Sequence, residues 1–177
     1  MRAYPFLKNL CFIGLAWICT SAYTEEIVKL ENYSFKYSAS TEASKETIWQ
    51  LWTDVENWGQ FDERIQYSYL IDTEIFELGS EGVMKGKNAP ETAFEVIQID
   101  PEQSFTLKLK LPLYQRIELQ RYFSESSTDR TRFTHEVNFR GRLKSIYYLI
   151  LAGPFKSDLE LVVDKIQAIA DMSLSSP

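Results

Sequence analysis

The sequence predicts an α+β fold in which a curved antiparallel sheet of six or seven strands wraps around a long C-terminal helix, with two short helices after the first strand. Three observations carry this. A capped amphipathic helix follows the first strand-like stretch. Segments of alternating polarity then succeed one another from residue 65 to residue 140, separated by short polar turns. The last stretch changes period, with Phe155, Leu159, Val162, Val163, Ile166, Ile169 and Ala170 at helical spacing. A sheet and a single helix must bury their apolar faces on each other, and a strongly twisted sheet of this width curls around the helix. The space between them is a natural cavity.

Each element has a local reason. Residues 27–37 read as a strand through Val28, Leu30, Tyr33, Phe35 and Tyr37, with a kink near Glu31 and Asn32. Ser44 is an N-cap for a helix reaching about residue 55, whose apolar face is Ile48, Leu51, Trp52 and Val55. Trp58-Gly59-Gln60-Phe61 turns the chain through a second short helix. Ile65, Tyr67, Tyr69 and Ile71 alternate, and further strands cover residues 82–87 and 93–99, followed by the turn Asp100-Pro101-Glu102-Gln103. Phe105, Leu107, Leu109 and Leu111 alternate with Thr106, Lys108 and Lys110, a half-buried strand. Residues 117–123 and 132–140 form a hairpin. Gly153-Pro154 is expected to break the chain before the final helix. The apolar residues 145–152 ahead of it read as a short helix or an irregular flap.

The chain has 177 residues, 45% of them hydrophobic, 25% charged and 14% aromatic, within the range of a globular domain. Residues 1–22 read as a signal peptide: Arg2 and Lys8 lead a short apolar run that ends in Thr20-Ser21-Ala22. Residues 23–177 would then form one domain, exported to the periplasm or secreted. The alternative is a membrane anchor made by an uncleaved segment. Cleavage removes both cysteines, Cys11 and Cys19, and two of the 19 basic residues, shifting the net charge from −6 to −8. Such an acidic domain gains nothing from counterion release, which argues against nucleic acid as a partner. With one histidine in the chain, a multi-histidine metal site is excluded, and no cofactor motif is present.

Three stretches resemble the START-like (SRPBCC) superfamily. Thr47-Ile48-Trp49-Gln50-Leu51-Trp52-Thr53-Asp54-Val55-Glu56-Asn57-Trp58 resembles its first helix and the Asp-x-x-x-Trp exit from it, with Phe61 where a second Trp often stands. Phe94-Glu95-Val96-Ile97-Gln98-Ile99-Asp100-Pro101 resembles the central strand and its Asp-Pro turn, and the segment from Gly153-Pro154 onward resembles the C-terminal helix. The resemblance covers roughly residues 26–172. It implies a helix-grip fold with a ligand cavity, and no single function, because function resides in the site.

Candidate site residues follow from strand parity. Phe133, His135, Val137 and Phe139 share one face, and Ile117, Leu119, Arg121 and Phe123 share another. If Phe123 pairs with Phe133, Arg121 lies opposite His135; a shift by two residues pairs His135 with Leu119. Leu107, Leu109, Tyr67 and Tyr69 complete the expected ligand-binding set. His135 and Arg121 would orient a ligand's polar group, or His135 would act as a general acid/base, or both would sit half-buried at the rim. The leading function is binding of a hydrophobic small molecule or lipid. A metal-free enzyme of the polyketide cyclase/dehydrase type is the alternative, with His135 as the candidate catalytic residue. The third reading is a protein or membrane-surface docking module, with Ile146 to Leu151 as the exposed patch and the candidate for peripheral membrane contact.

Overall fold

The computed structural model describes residues 33–125 and 130–174. Its elements run β1 (Ser34–Thr41), α1 (Lys45–Thr53), a 3-10 helix (Val55–Gln60), β2 (Ile65–Leu70), β3 (Glu81–Gly86), β4 (Glu91–Asp100), β5 (Ser104–Leu111), β6 (Gln115–Ser124), β7 (Thr131–Arg140) and α2 (Lys144–Leu174). The seven strands form one antiparallel sheet in the order β1-β7-β6-β5-β4-β3-β2. After β1 the chain crosses through the two short helices to the far edge, then meanders back to close on β1.

The expected first strand is present over its described part and extends further. Within the described residues it starts at Ser34 and runs past Tyr37 to Thr41, while residues 27–32, like the segment 1–22 expected to be a signal peptide, lie outside the described residues. Ser44 caps α1 as expected, its Oγ accepting from the Thr47 N–H at 3.1 Å. Ile48 and Trp52 of α1 and Val55 and Trp58 of the 3-10 helix are buried against the sheet.

Gly153-Pro154 does not break the chain: α2 is continuous for 31 residues. Proline removes one hydrogen bond and crowds the carbonyl four residues earlier. Here that carbonyl belongs to Ile150, which is exposed along with Gly153 and Pro154, so the defect faces water. The apolar residues 145–152 are therefore the first turns of the same helix, and Tyr147, Tyr148, Leu151 and Phe155 pack on the core. Further on, Val162, Val163, Ile166 and Ala170 are buried. Arg64 pairs with Asp158, and Lys165 with Glu63, tying α2 to the loop before β2. Thr41 donates to Asp171 and ties it to β1. No described helix is long and apolar enough to cross a membrane.

Register fixes the inner face of the sheet as transverse rows. Leu109, Ile117 and Phe139 form one row, and Leu107, Leu119, Val137 and Phe35 the next. Then come Phe105, Arg121, His135 and Tyr37, and last Phe123, Phe133 and Ala39. A bulge in β4 between Val96 and Gln98 lets both Val96 and Ile99 meet the core.

Candidate functional site

Three of the four rows are wholly apolar. The third, Phe105–Arg121–His135–Tyr37, carries polar groups on three adjacent strands. The hairpin pairs Phe123 with Phe133, so Arg121 stands directly opposite His135, the first of the two registers open to the sequence. Both are buried, at 8% and 4% residual exposure. At the edge of the row the Tyr37 hydroxyl lies beside Asp164 of α2, whose negative charge raises the phenol's pKa.

The helices roof this row with aromatic rings. Trp52 of α1 stacks on Phe123 at 4.8 Å and lies 5.5 Å from the His135 ring, with Phe105 and Phe133 each at 6.0 Å. The Arg121 guanidinium lies over Trp58 and Phe61 at 5.3 Å and over Phe105 at 5.6 Å. Trp58 is itself fixed by its indole N–H, which donates to the Trp52 carbonyl at 3.0 Å.

The polar atoms of this cluster are left open. Among the described residues, Trp52 Nε1, Arg121 Nη1 and His135 Nε2 are buried without a hydrogen-bond partner, as is Ser124 Oγ. Leaving a buried polar group unpaired costs roughly 1–3 kcal/mol, and more when it is charged. A ring beneath a cation returns roughly 0.5–2 kcal/mol. Burial drives the Arg121 pKa down to about 10, with the Asp62 charge opposing. Burial, and then the Arg121 charge, pushes the His135 imidazole well below its usual value, so His135 is neutral at pH 7. The site thus holds one buried cation with an unpaired N–H beside a neutral imidazole and a free indole N–H.

Leu107, Leu109, Phe133, Val137 and Phe139 are buried on the same inner face, and Leu119 is half-buried against them. Tyr67 and Tyr69 are not among them. A bulge between Ile65 and Tyr67 shifts the phase of β2, so Ile65, Ser68 and Leu70 turn inward and both tyrosines point to solvent, each 41% exposed. Ser68 Oγ donates to the Val55 carbonyl at 2.6 Å, while the Tyr67 hydroxyl donates to Glu91 at 2.7 Å on the outer face. Trp52, Trp58, Phe61 and Tyr37 surround the polar row and were not in the expected set. The signal for Trp52 was its indole N–H on an otherwise apolar helix face.

Two surface depressions lie elsewhere. One of about 480 Å³ opens between Gln50 and Leu51 of α1, Asp54 just beyond its end, and Ile169 and Ser173 of α2. The other, about 350 Å³, lies among Glu42, Arg130, Asp171 and Leu174. The inner face itself is filled by rings. An exposed apolar patch surrounds the start of α2, formed by Ile146, Leu149 and Ile150 with Leu113 and Tyr114 of the β5–β6 turn. Contacts from Tyr147 to the Pro112 carbonyl and from the Leu143 N–H to Gln115 join the two segments.

No family model matches the chain, and no curated protein matches it. Solved structures do. A START superfamily protein from Mycobacterium smegmatis superposes with TM-score 0.60 at 14% identity, covering 77% of this chain and 98% of its own. Ginseng major latex-like protein 151 from Panax ginseng gives 0.54 at 13%, covering 77% and 96%. A hypothetical protein from Helicobacter pylori gives 0.62 at 11%, covering 77% and 86%. At such identities the likeness concerns the fold alone, and together with the sheet order and helix α2 it shows that this chain has a helix-grip fold like that of the START superfamily protein.

Proposed function

We propose that the protein holds a hydrophobic small molecule or lipid between the inner face of its sheet and its helices, with Arg121 and His135 orienting the ligand's polar end. The observation that carries this reading is the pair of buried, hydrogen-bond-deficient ionisable side chains within an otherwise apolar face. The helix-grip fold supports it, being in general a fold that encloses hydrophobic ligands. The apolar rows of Leu107, Leu119 and Val137 would supply most of the affinity, at roughly 25 cal/mol per Å² of ligand surface buried. Because rings now fill this space, a ligand must displace Trp58 and Phe61, which sit on and just after the short 3-10 helix rather than on the sheet. The test is titration of the full chain with diphenylhexatriene, an uncharged apolar fluorophore. Saturable uptake of one probe per chain is expected, and no saturable uptake would sink the reading.

A second reading, peripheral contact with a membrane surface, is favoured by the patch around α2. Tyr114 is fully exposed, Leu149 is 85% exposed, and Leu113 and Ile150 are about two-thirds exposed, at 68% and 66%. Leu113 and Tyr114 both have φ of 58°, a left-handed turn that favours Asn-Gly. Large apolar side chains held outward on such backbone suit insertion between lipid head groups. Flotation with phosphatidylcholine vesicles should carry the wild type upward and leave the Leu113→Asn/Tyr114→Gly variant behind. Equal flotation of the two proteins would remove this reading.

A further inference from the structure

We propose that the polar end recognised by this site is a carboxylate, so that the ligand is an apolar acid such as a fatty acid; this rests on the ligand-binding reading above. Three neighbouring side chains carry open atoms. Arg121 and His135 face each other across β6 and β7. Trp52 contacts His135 and Phe105, the two cross-strand neighbours of Arg121, and Phe123, two residues along the same strand. All three side chains are more than nine-tenths buried.

Their chemistry specifies the missing partner. Guanidinium and indole nitrogens only donate, so both await an acceptor. The neutral imidazole can donate from Nε2 in one of its two tautomers. The protein's own acceptor with influence here, Asp62, is committed to Arg64. Its oxygens accept from Arg64 Nε at 2.8 Å, Nη2 at 2.7 Å and the Arg64 backbone N–H at 3.1 Å. The rings of Trp58, Phe61 and Phe105 offset part of the burial of the cation but do not cancel its charge. An alcohol or ketone would satisfy hydrogen bonds and leave that charge uncompensated. A carboxylate does both, with two coplanar oxygens that match a guanidinium edge. A phosphate monoester would bring a second charge and more acceptors than these three donors can serve.

The test compares dodecanoate with dodecanol, which differ only in the head. Wild-type full chain should bind dodecanoate at least about tenfold tighter than dodecanol. Arg121→Met should bring the two affinities together, the loss falling on dodecanoate. Trp52→Phe, which keeps a ring and removes the donor, should narrow the gap in part. The single histidine of the chain gives an independent readout by NMR. A carboxylate bound beside it should raise the pKa of His135, and dodecanol should not. Dodecanol binding as well as dodecanoate, or a His135 pKa indifferent to dodecanoate, would overturn the carboxylate assignment with the ligand-binding reading intact. A preference for dodecanoate that survives Arg121→Met would overturn it too. Failure of diphenylhexatriene and both dodecyl compounds to bind would remove the underlying reading itself.

Discussion

At Gly82 the Phe94 ring stands where a side chain would begin. A Cβ built there lies 2.2 Å from Phe94 Cζ and 2.7 Å from the Tyr69 carbonyl oxygen. Gly82 pairs with both Leu70 and Phe94 on the inner face, and Phe94 is wholly buried, so neither the ring nor the backbone can move cheaply. Gly82→Ala should therefore destabilise the fold by about 1–3 kcal/mol, as overpacking does. Urea unfolding measures it, and an unchanged midpoint would mean the ring rotates away freely. Strand parity alone could find Arg121 and His135, because residues 117–123 and 133–139 alternate without interruption. It failed for Tyr67 and Tyr69, because the bulge after Ile65 inserts a residue and inverts every later side chain. Trp52 was legible as a packed ring. That its N–H has no partner depends on what three distant strands place around it, and spacing along a helix cannot reveal that.

Helix α2 and the β5–β6 turn show where local rules yield to context. A Gly-Pro pair tends to stop a helix, yet α2 continues, because the apolar stripes on either side of Pro154 both find the sheet while the proline faces water. The turn from Pro112 to Gln115 shows the reverse. Its Gln115 N–H donates to the Pro112 carbonyl, and both central residues are left-handed, a type I′ geometry. Nothing in Leu113-Tyr114 announces that turn. Left-handed backbone costs a residue with a Cβ roughly 1–2 kcal/mol. Leu113→Asn/Tyr114→Gly should therefore raise the melting midpoint, by about 2–4 °C for each 1 kcal/mol recovered in a protein of this size. A lower midpoint would mean that the two side chains contribute packing that outweighs the strain.

For the whole molecule, the buried row and the surface acids divide the pH dependence of stability between them. Bonds from Lys165 to Glu63 and from Lys108 to Glu95 hold those carboxyls below the usual range. Burial works against Glu118, but its bonds to Arg116 and Arg140 outweigh it and lower that group as well. Depressed carboxylates stabilise the fold above their unfolded pKa, and that contribution is lost only as pH falls below about 4.5. His135 acts earlier. Its folded pKa lies well below the unfolded value of about 6.5, through burial and the Arg121 charge. As pH drops below about 6.5 the unfolded chain takes up a proton that the folded chain refuses, so stability is full above that pH and declines beneath it. One such proton limits the slope to about 1.4 kcal/mol per pH unit. No second histidine shares this window. Denaturation midpoints of the wild type should therefore fall between pH 6.5 and 4.5, whereas His135→Phe should be nearly flat there and fall only at lower pH. If both proteins declined in parallel across that window, His135 would be taking its proton in the folded state, and the imidazole could not be the neutral, buried partner of Arg121 that the site requires.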